Sequence, residues 1–196
     1  MSTREDVKTF FSLPIDFSAI ELEPGPGAEA YFCTPADAEI IGWLGSTHLI
    51  LLPGDETVYC VEPELGGEGT FVLPVGRNFR EFLSYLLYCK CISPISQIFM
   101  LDEPGFRRLL EENAQNTWPG CAETFRNRDQ ALALLSQTFG IQPRDPYGAV
   151  KALQASFDPS VLVFSDAYYD VLGLDNPRYP EEQTDRCAPA DIEHFS

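Results

Sequence analysis

The hydrophobic period of this chain changes at Asn78, and few folds accommodate that change. Before it, apolar residues come in short runs separated by turn formers: Ala28 to Cys33, Glu39 to Leu44, His48 to Leu52, Thr57 to Glu62 and Thr70 to Val75. Pro53-Gly54-Asp55-Glu56 and Gly66-Gly67-Glu68-Gly69 punctuate them, and runs of this length and spacing predict an antiparallel meander. After Asn78 the spacing becomes helical. Asn78 is placed to cap a helix with Glu81 as its capping-box partner, and Phe79, Phe82, Leu83, Leu86 and Leu87 then recur every three or four residues.

Further helix starts are marked at Ser93-Pro94, at Asp102-Glu103-Pro104 ahead of Phe106, Leu109 and Leu110, at Asp129 and at Asp145-Pro146. Asn113 to Cys121 reads as a looser stretch. Val161 to Phe164 is apolar and β-branched enough for a short extra strand, and Ser165-Asp166 opens a last helix that Gly173 closes. The expected fold class is therefore α+β, a central antiparallel sheet of about four to six strands with helices on one face and a C-terminal helical extension. Residues 1–174 form one domain, strand-rich over 28–76 and helix-rich over 77–174, and residues 175–196 form an extended, acidic, proline-containing tail.

Composition decides which functions this fold can serve. With 44% hydrophobic residues the chain has enough apolar surface for a core without a metal or disulfide staple. Its formal charge is −17, from 30 acidic residues against 13 Lys and Arg. Such a chain repels nucleic-acid phosphates and anionic membranes, and attracts basic partners. No apolar run approaches a membrane span, the first residues lack a secretory signal, and a cytoplasmic location is expected.

Chemistry is harder to assemble. The histidines are His48, within an apolar strand, and His194, in the tail. Cys89-Lys90-Cys91 is the only close cysteine pair, and a zinc site needs C-x-x-C spacing repeated elsewhere. The glycine-rich turn at 66–69 lacks the Lys and Ser/Thr of a phosphate loop. No catalytic, cofactor-binding or metal-binding residues are expected, and the chain reads as a non-enzymatic protein-binding domain. Its candidate partner surface is the meander's open sheet face, with aromatic residues such as Trp43, Tyr59 and Trp118, and the acidic hairpin ends Asp55, Glu56, Glu62, Glu64 and Glu68. A small enzyme is the competing class; it requires a cleft where His48 meets a cysteine or two carboxylates, with Asp55 and Glu56 the nearest candidates.

The junction Thr70 to Leu83, with Asn78-Phe79-Arg80-Glu81-Phe82-Leu83 followed by Leu86-Leu87-Tyr88-Cys89, resembles the strand-to-helix junction of the SUKH superfamily, which contains Smi/Knr-type cell-wall regulators. Ile95 to Phe106, Asp145 to Gln154 and Tyr168-Tyr169-Asp170 are similar to the helical extension of bacterial members, so the resemblance spans residues 28–174. The family's leading helix is not evident, although Leu13-Pro14-Ile15-Asp16-Phe17 resembles part of the element that follows it. The resemblance implies an α+β fold with a central antiparallel sheet. It also implies a role in binding and neutralising a toxin, often a nuclease, or in regulating cell-wall synthesis, with no catalytic residues.

Overall fold

The computed structural model describes residues 2–25, 28–65, 71–115, 117 and 121–179. At its centre is a five-stranded antiparallel sheet in meander order: β1 (Glu23–Pro24), β2 (Glu39–Leu44), β3 (Thr47–Leu51), β4 (Val58–Val61) and β5 (Val72–Gly76). The helices are α1 (Thr3–Phe11), α2 (Phe79–Cys89), α3 (Ser93–Ser96), α4 (Glu103–Gln115), α5 (Cys121–Phe139), α6 (Tyr147–Ala155) and α7 (Asp166–Leu172). The α+β fold with a sheet packed against helices is thus the one expected.

Helix α2 is the core element. Asn78 caps it, its side-chain oxygen accepting from the Glu81 N–H at 2.9 Å, while the Glu81 carboxylate reaches back to the N–H of Arg77 rather than of the cap residue. Phe79, Phe82, Leu83, Tyr85, Leu86, Leu87 and Cys89 are all buried. Gly76 at the end of β5 lets α2 close on the sheet, since a Cβ there would lie 3.0 Å from the Cβ of Phe82. Ile41, Leu49, Leu51, Val58, Cys60 and Val75 supply the sheet side of this core, and α1, α5 and α6 add Phe10, Leu135 and Val150.

Three features depart from the expected layout. Helix α1 opens the fold where the sequence pattern made no element evident. Its signal is a complete capping box, Ser2 with Glu5, and Val7 and Phe10 are buried. Ala28 to Cys33 is not a strand: the Tyr31 N–H donates to Thr34 Oγ1 at 2.9 Å and the Thr34 N–H to the Tyr31 carbonyl at 3.0 Å, closing a turn. The first strand is instead the two-residue β1, where Pro24 is tolerated because the strand is an edge. Finally, α5 begins at Cys121, so Asp129 lies within it rather than at its start.

The sheet's other face is not open. Cys33, Ile50, Tyr59, Val61, Phe71 and Val72 form a second core there, covered by Tyr31 and Phe32 and by a C-terminal strap, residues 157–172. The strap contributes Phe157, Leu162, Phe164, Tyr168 and Leu172. Phe164 stacks on Tyr168 with ring centroids 3.9 Å apart, Tyr168 meets Phe71 edge-on, and the Ala36 N–H donates to the Val163 carbonyl at 2.8 Å. The predicted strand at Val161 to Phe164 is reduced to one isolated bridge, Pro35 with Phe164.

Phe82 is fully buried between α2 and the sheet. Phe82→Ala is expected to lower unfolding stability by roughly 3–5 kcal/mol. Tyr168→Ala, on the half-buried strap, is expected to cost no more than about half of that. Urea titrations of both variants followed by circular dichroism check the order.

Candidate acidic cleft beside the C-terminal strap

The four described members of the predicted partner group, Asp55, Glu56, Glu62 and Glu64, do not form one surface. Consecutive hairpins of a meander turn at opposite ends of the sheet, so Asp55 and Glu56 precede β4 while Glu62 and Glu64 follow it. Glu68 and Trp118 lie outside the described residues. Burial settles the other two aromatics: Tyr59 sits within the second core and Trp43 is about one-third exposed at 36%.

Two of the carboxylates serve the fold directly. Glu56 accepts the Thr3 N–H, and its carbonyl accepts the Thr3 hydroxyl at 2.9 Å. Those Thr3 contacts hold its carboxyl below the ordinary value. Thr3 Oγ1 also accepts the Phe79 N–H at 3.2 Å, so one buried threonine joins the β3–β4 turn to the starts of α1 and α2. At the other end of β4, Glu62 is half-buried and accepts the Thr47 hydroxyl. Burial raises its pKa, the Thr47 bond opposes this, and the charge of Glu64 adds to it.

Groups of the kind used in catalysis are consumed in the same way. His48 is 3% exposed and stacks on Tyr31 with centroids 4.1 Å apart; its Nδ1 has no hydrogen-bond partner among the described residues. It pairs with Val61 and Trp43 near the start of β3, whereas Asp55 lies beyond the far end of that strand, so the two are not brought together. Cys33, Cys60, Cys89 and Cys91 are buried free thiols; burial raises all four, Cys33 to about 11 and Cys91 to about 12. Among the described residues no three His, Cys, Asp or Glu side chains are grouped to hold a metal, and no helix is long and apolar enough to cross a membrane.

A concavity lies where the β3–β4 turn meets the strap. A cleft of about 330 Å³ has Pro35, Leu52, Pro53 and Val161 to Val163 as apolar walls, and Asp37 and Asp55 in its lining. A second, of about 210 Å³, shares Val161 and is lined by Tyr59, Pro74, Leu153, Phe157 and Asp158. Asp55 is fixed by the Tyr59 hydroxyl at 2.6 Å and the Thr57 N–H at 2.9 Å. Burial raises its pKa, but these bonds outweigh burial and hold it below the ordinary value, so it is a carboxylate at neutral pH. Asp37 is exposed and makes no hydrogen bond or ion pair with the described residues.

Of the predicted residues, Asp55 lines the first cleft and Tyr59 the second; Asp37, Asp158 and the strap valines were not anticipated. The alternation across Val161, Leu162, Val163 and Phe164 is the signal that points to them. Leu162 and Phe164 pack on the second core, which turns Val161 and Val163 outward at 61% and 60% exposure. Comparison with protein-family models, with curated proteins and with solved structures finds no match.

His48 makes the fold acid-sensitive. Burial lowers its pKa from 6.5, so the stability owed to the neutral ring is complete above 6.5 and is lost as pH falls from there through the lower folded value. Glu62 acts in the opposite sense: its pKa is raised from 4.5, so its contribution is lost as pH rises above 4.5. His48→Phe keeps the ring stack and removes the titration. Urea unfolding at about pH 7.5 and about pH 5 is expected to show wild type losing more stability than the variant, by up to about 1.4 kcal/mol per pH unit within the histidine's window.

Proposed function

We propose that this chain is a non-enzymatic protein-binding domain of the toxin-immunity type, which neutralises a basic toxin, such as a nuclease, by direct contact. The observation that carries this reading is the disposition of charge. Arg4, Arg77, Arg80, Arg107, Arg144 and Arg178 are engaged by the chain's own carboxylates, from the Arg80 pair with buried Asp6 at 2.8 Å to the Arg178 pair with Asp166 at 2.7 Å. The formal net charge of the whole sequence is −17, and among the described residues many carboxylates outside these pairs face solvent. Glu23, Glu29, Asp37, Glu64, Glu111, Glu112, Glu123, Asp129, Asp170 and Asp175 are all exposed. Such a field speeds encounter with a cationic protein and fits the substrate groove of a nuclease, itself shaped for phosphates. The resemblance of the Asn78 to Leu83 junction to the SUKH superfamily points the same way, toward toxin binding in bacterial members.

The test is capture of partners by the tagged chain from its native lysate at low and high salt, with mass-spectrometric identification. A basic toxin domain that is retained at about 0.05 M salt and released by about 0.5 M is expected, because the Debye length shortens from about 14 Å to about 4 Å. A salt-insensitive partner that is not a toxin, or no partner, overturns the immunity reading; the former outcome favours a regulator of the cell-wall type.

A further inference from the structure

We infer that the cleft between the β3–β4 turn and the C-terminal strap receives a lysine or arginine side chain from a basic, valine- or leucine-flanked segment of the partner. This inference rests on the binding reading above and assigns it a contact surface.

The cleft has the chemistry of an amphipathic cation. A lysine or arginine carries an apolar stem and a charged head, and it is held best where apolar walls lie beside a carboxylate. Pro35, Leu52, Pro53 and Val163 supply the walls, and Asp37 and Asp55 the charge. At about 330 Å³ the cleft sits at the bottom of the range for small-ligand pockets, roughly 300–1,000 Å³, a size suited to a single side chain. Asp55 is held in place by Tyr59 and Thr57, so its position is set before binding, and Asp37 is free to meet the incoming charge.

Two cations of the chain, Arg4 and Arg178, bond backbone carbonyls at or next to the cleft, and neither pairs with Asp37. Arg4 is turned to the Leu52 carbonyl at 2.9 Å and to Glu39 at 3.2 Å, where it braces the turn and leaves Asp37 unneutralised. Val161 and Val163, on the strap wall of the cleft, are more than half exposed, and they offer a partner apolar contact next to the inserted charge. A second copy of the chain is the wrong occupant, because two bodies of charge −17 repel. The surplus acidity selects a basic segment.

The probe is a blocked valine–arginine–valine tripeptide, titrated into the full chain with methyl groups labelled for NMR. Saturable shifts at Val161 and Val163 are expected, with an apparent Kd of about 1–10 mM for so small a ligand. The same tripeptide with uncharged norleucine at its centre is expected to bind about five-fold more weakly, and Asp37→Asn to weaken the arginine peptide by a similar factor. Asp37 holds no other side chain, so that variant leaves the fold intact. Met100, 58% exposed and next to Asp102 and Glu103, is the internal control for indiscriminate attraction. Equal binding of the norleucine peptide, or shifts at Met100 as large as those at Val161, overturns the inference.

Failure here is separable from failure of the binding reading. A basic toxin captured equally by wild type and Asp37→Asn overturns the cleft assignment and leaves the immunity reading standing. Absence of any captured partner overturns the immunity reading, while the tripeptide titration still decides the cleft.

Discussion

Everything in this molecule is arranged around a helix that cannot be left in water. Helix α2 buries most of its circumference, including three phenylalanine and tyrosine rings that are 1% exposed or less, and a helix apolar on nearly all sides is stable only when enclosed. One side is taken by β5 and the sheet. The others have to be supplied by α1, α3 and α5, all of which pack against it. The enclosure is registered by polar contacts at one end of α2, where Thr3 joins three elements and the Arg80 guanidinium forks onto buried Asp6. Without Arg80 the Asp6 carboxylate is left buried without its ionic partner, which costs far more than an exposed pair contributes.

The second constraint comes from the sheet. Its strands β3 and β4 are buried at every residue, so the face away from α2 also needs a cover. The chain meets this with the loop at Tyr31 and Phe32 and with the strap, neither of which is a large regular element. A thin cover has an outer side as well as an inner one. That is why exposed valines and the clefts beside them occur along the strap.

Much of this was legible in the chain. Asn78, the helical spacing after it and the turn residues before it located β2 to β5 and α2, and Gly173, with a positive φ of 64°, closed the last helix where expected. What was missed has a physical pattern. Helix α1 was hidden because its apolar content is slight and its start is signalled by the Ser2 and Glu5 side chains rather than by periodicity. Tyr31 and Phe32 were misread because side-chain bonding by Thr34 overrides a local preference for extended structure. The candidate site fared worse. Acidic residues at hairpin ends look alike in sequence, but Glu56 and Glu62 are drawn into the fold by Thr3 and Thr47, and Asp37 comes to the same cleft as Asp55 because β2 pairs with β3 from Glu39 opposite Leu51, the strap then closing the cleft's other wall.

The meander order has a consequence for how the protein is made. Each strand pairs with its neighbour in sequence, so the sheet and α2 can assemble from contacts close along the chain as synthesis proceeds. The strap is different, because it closes on residues more than a hundred positions earlier. Until it emerges, Ile50, Tyr59, Val61 and Phe71 form an apolar sheet face covered only in part, by Tyr31 and Phe32. During translation that face is a target for chaperones and for self-association, and the exposure ends only once the strap has been made.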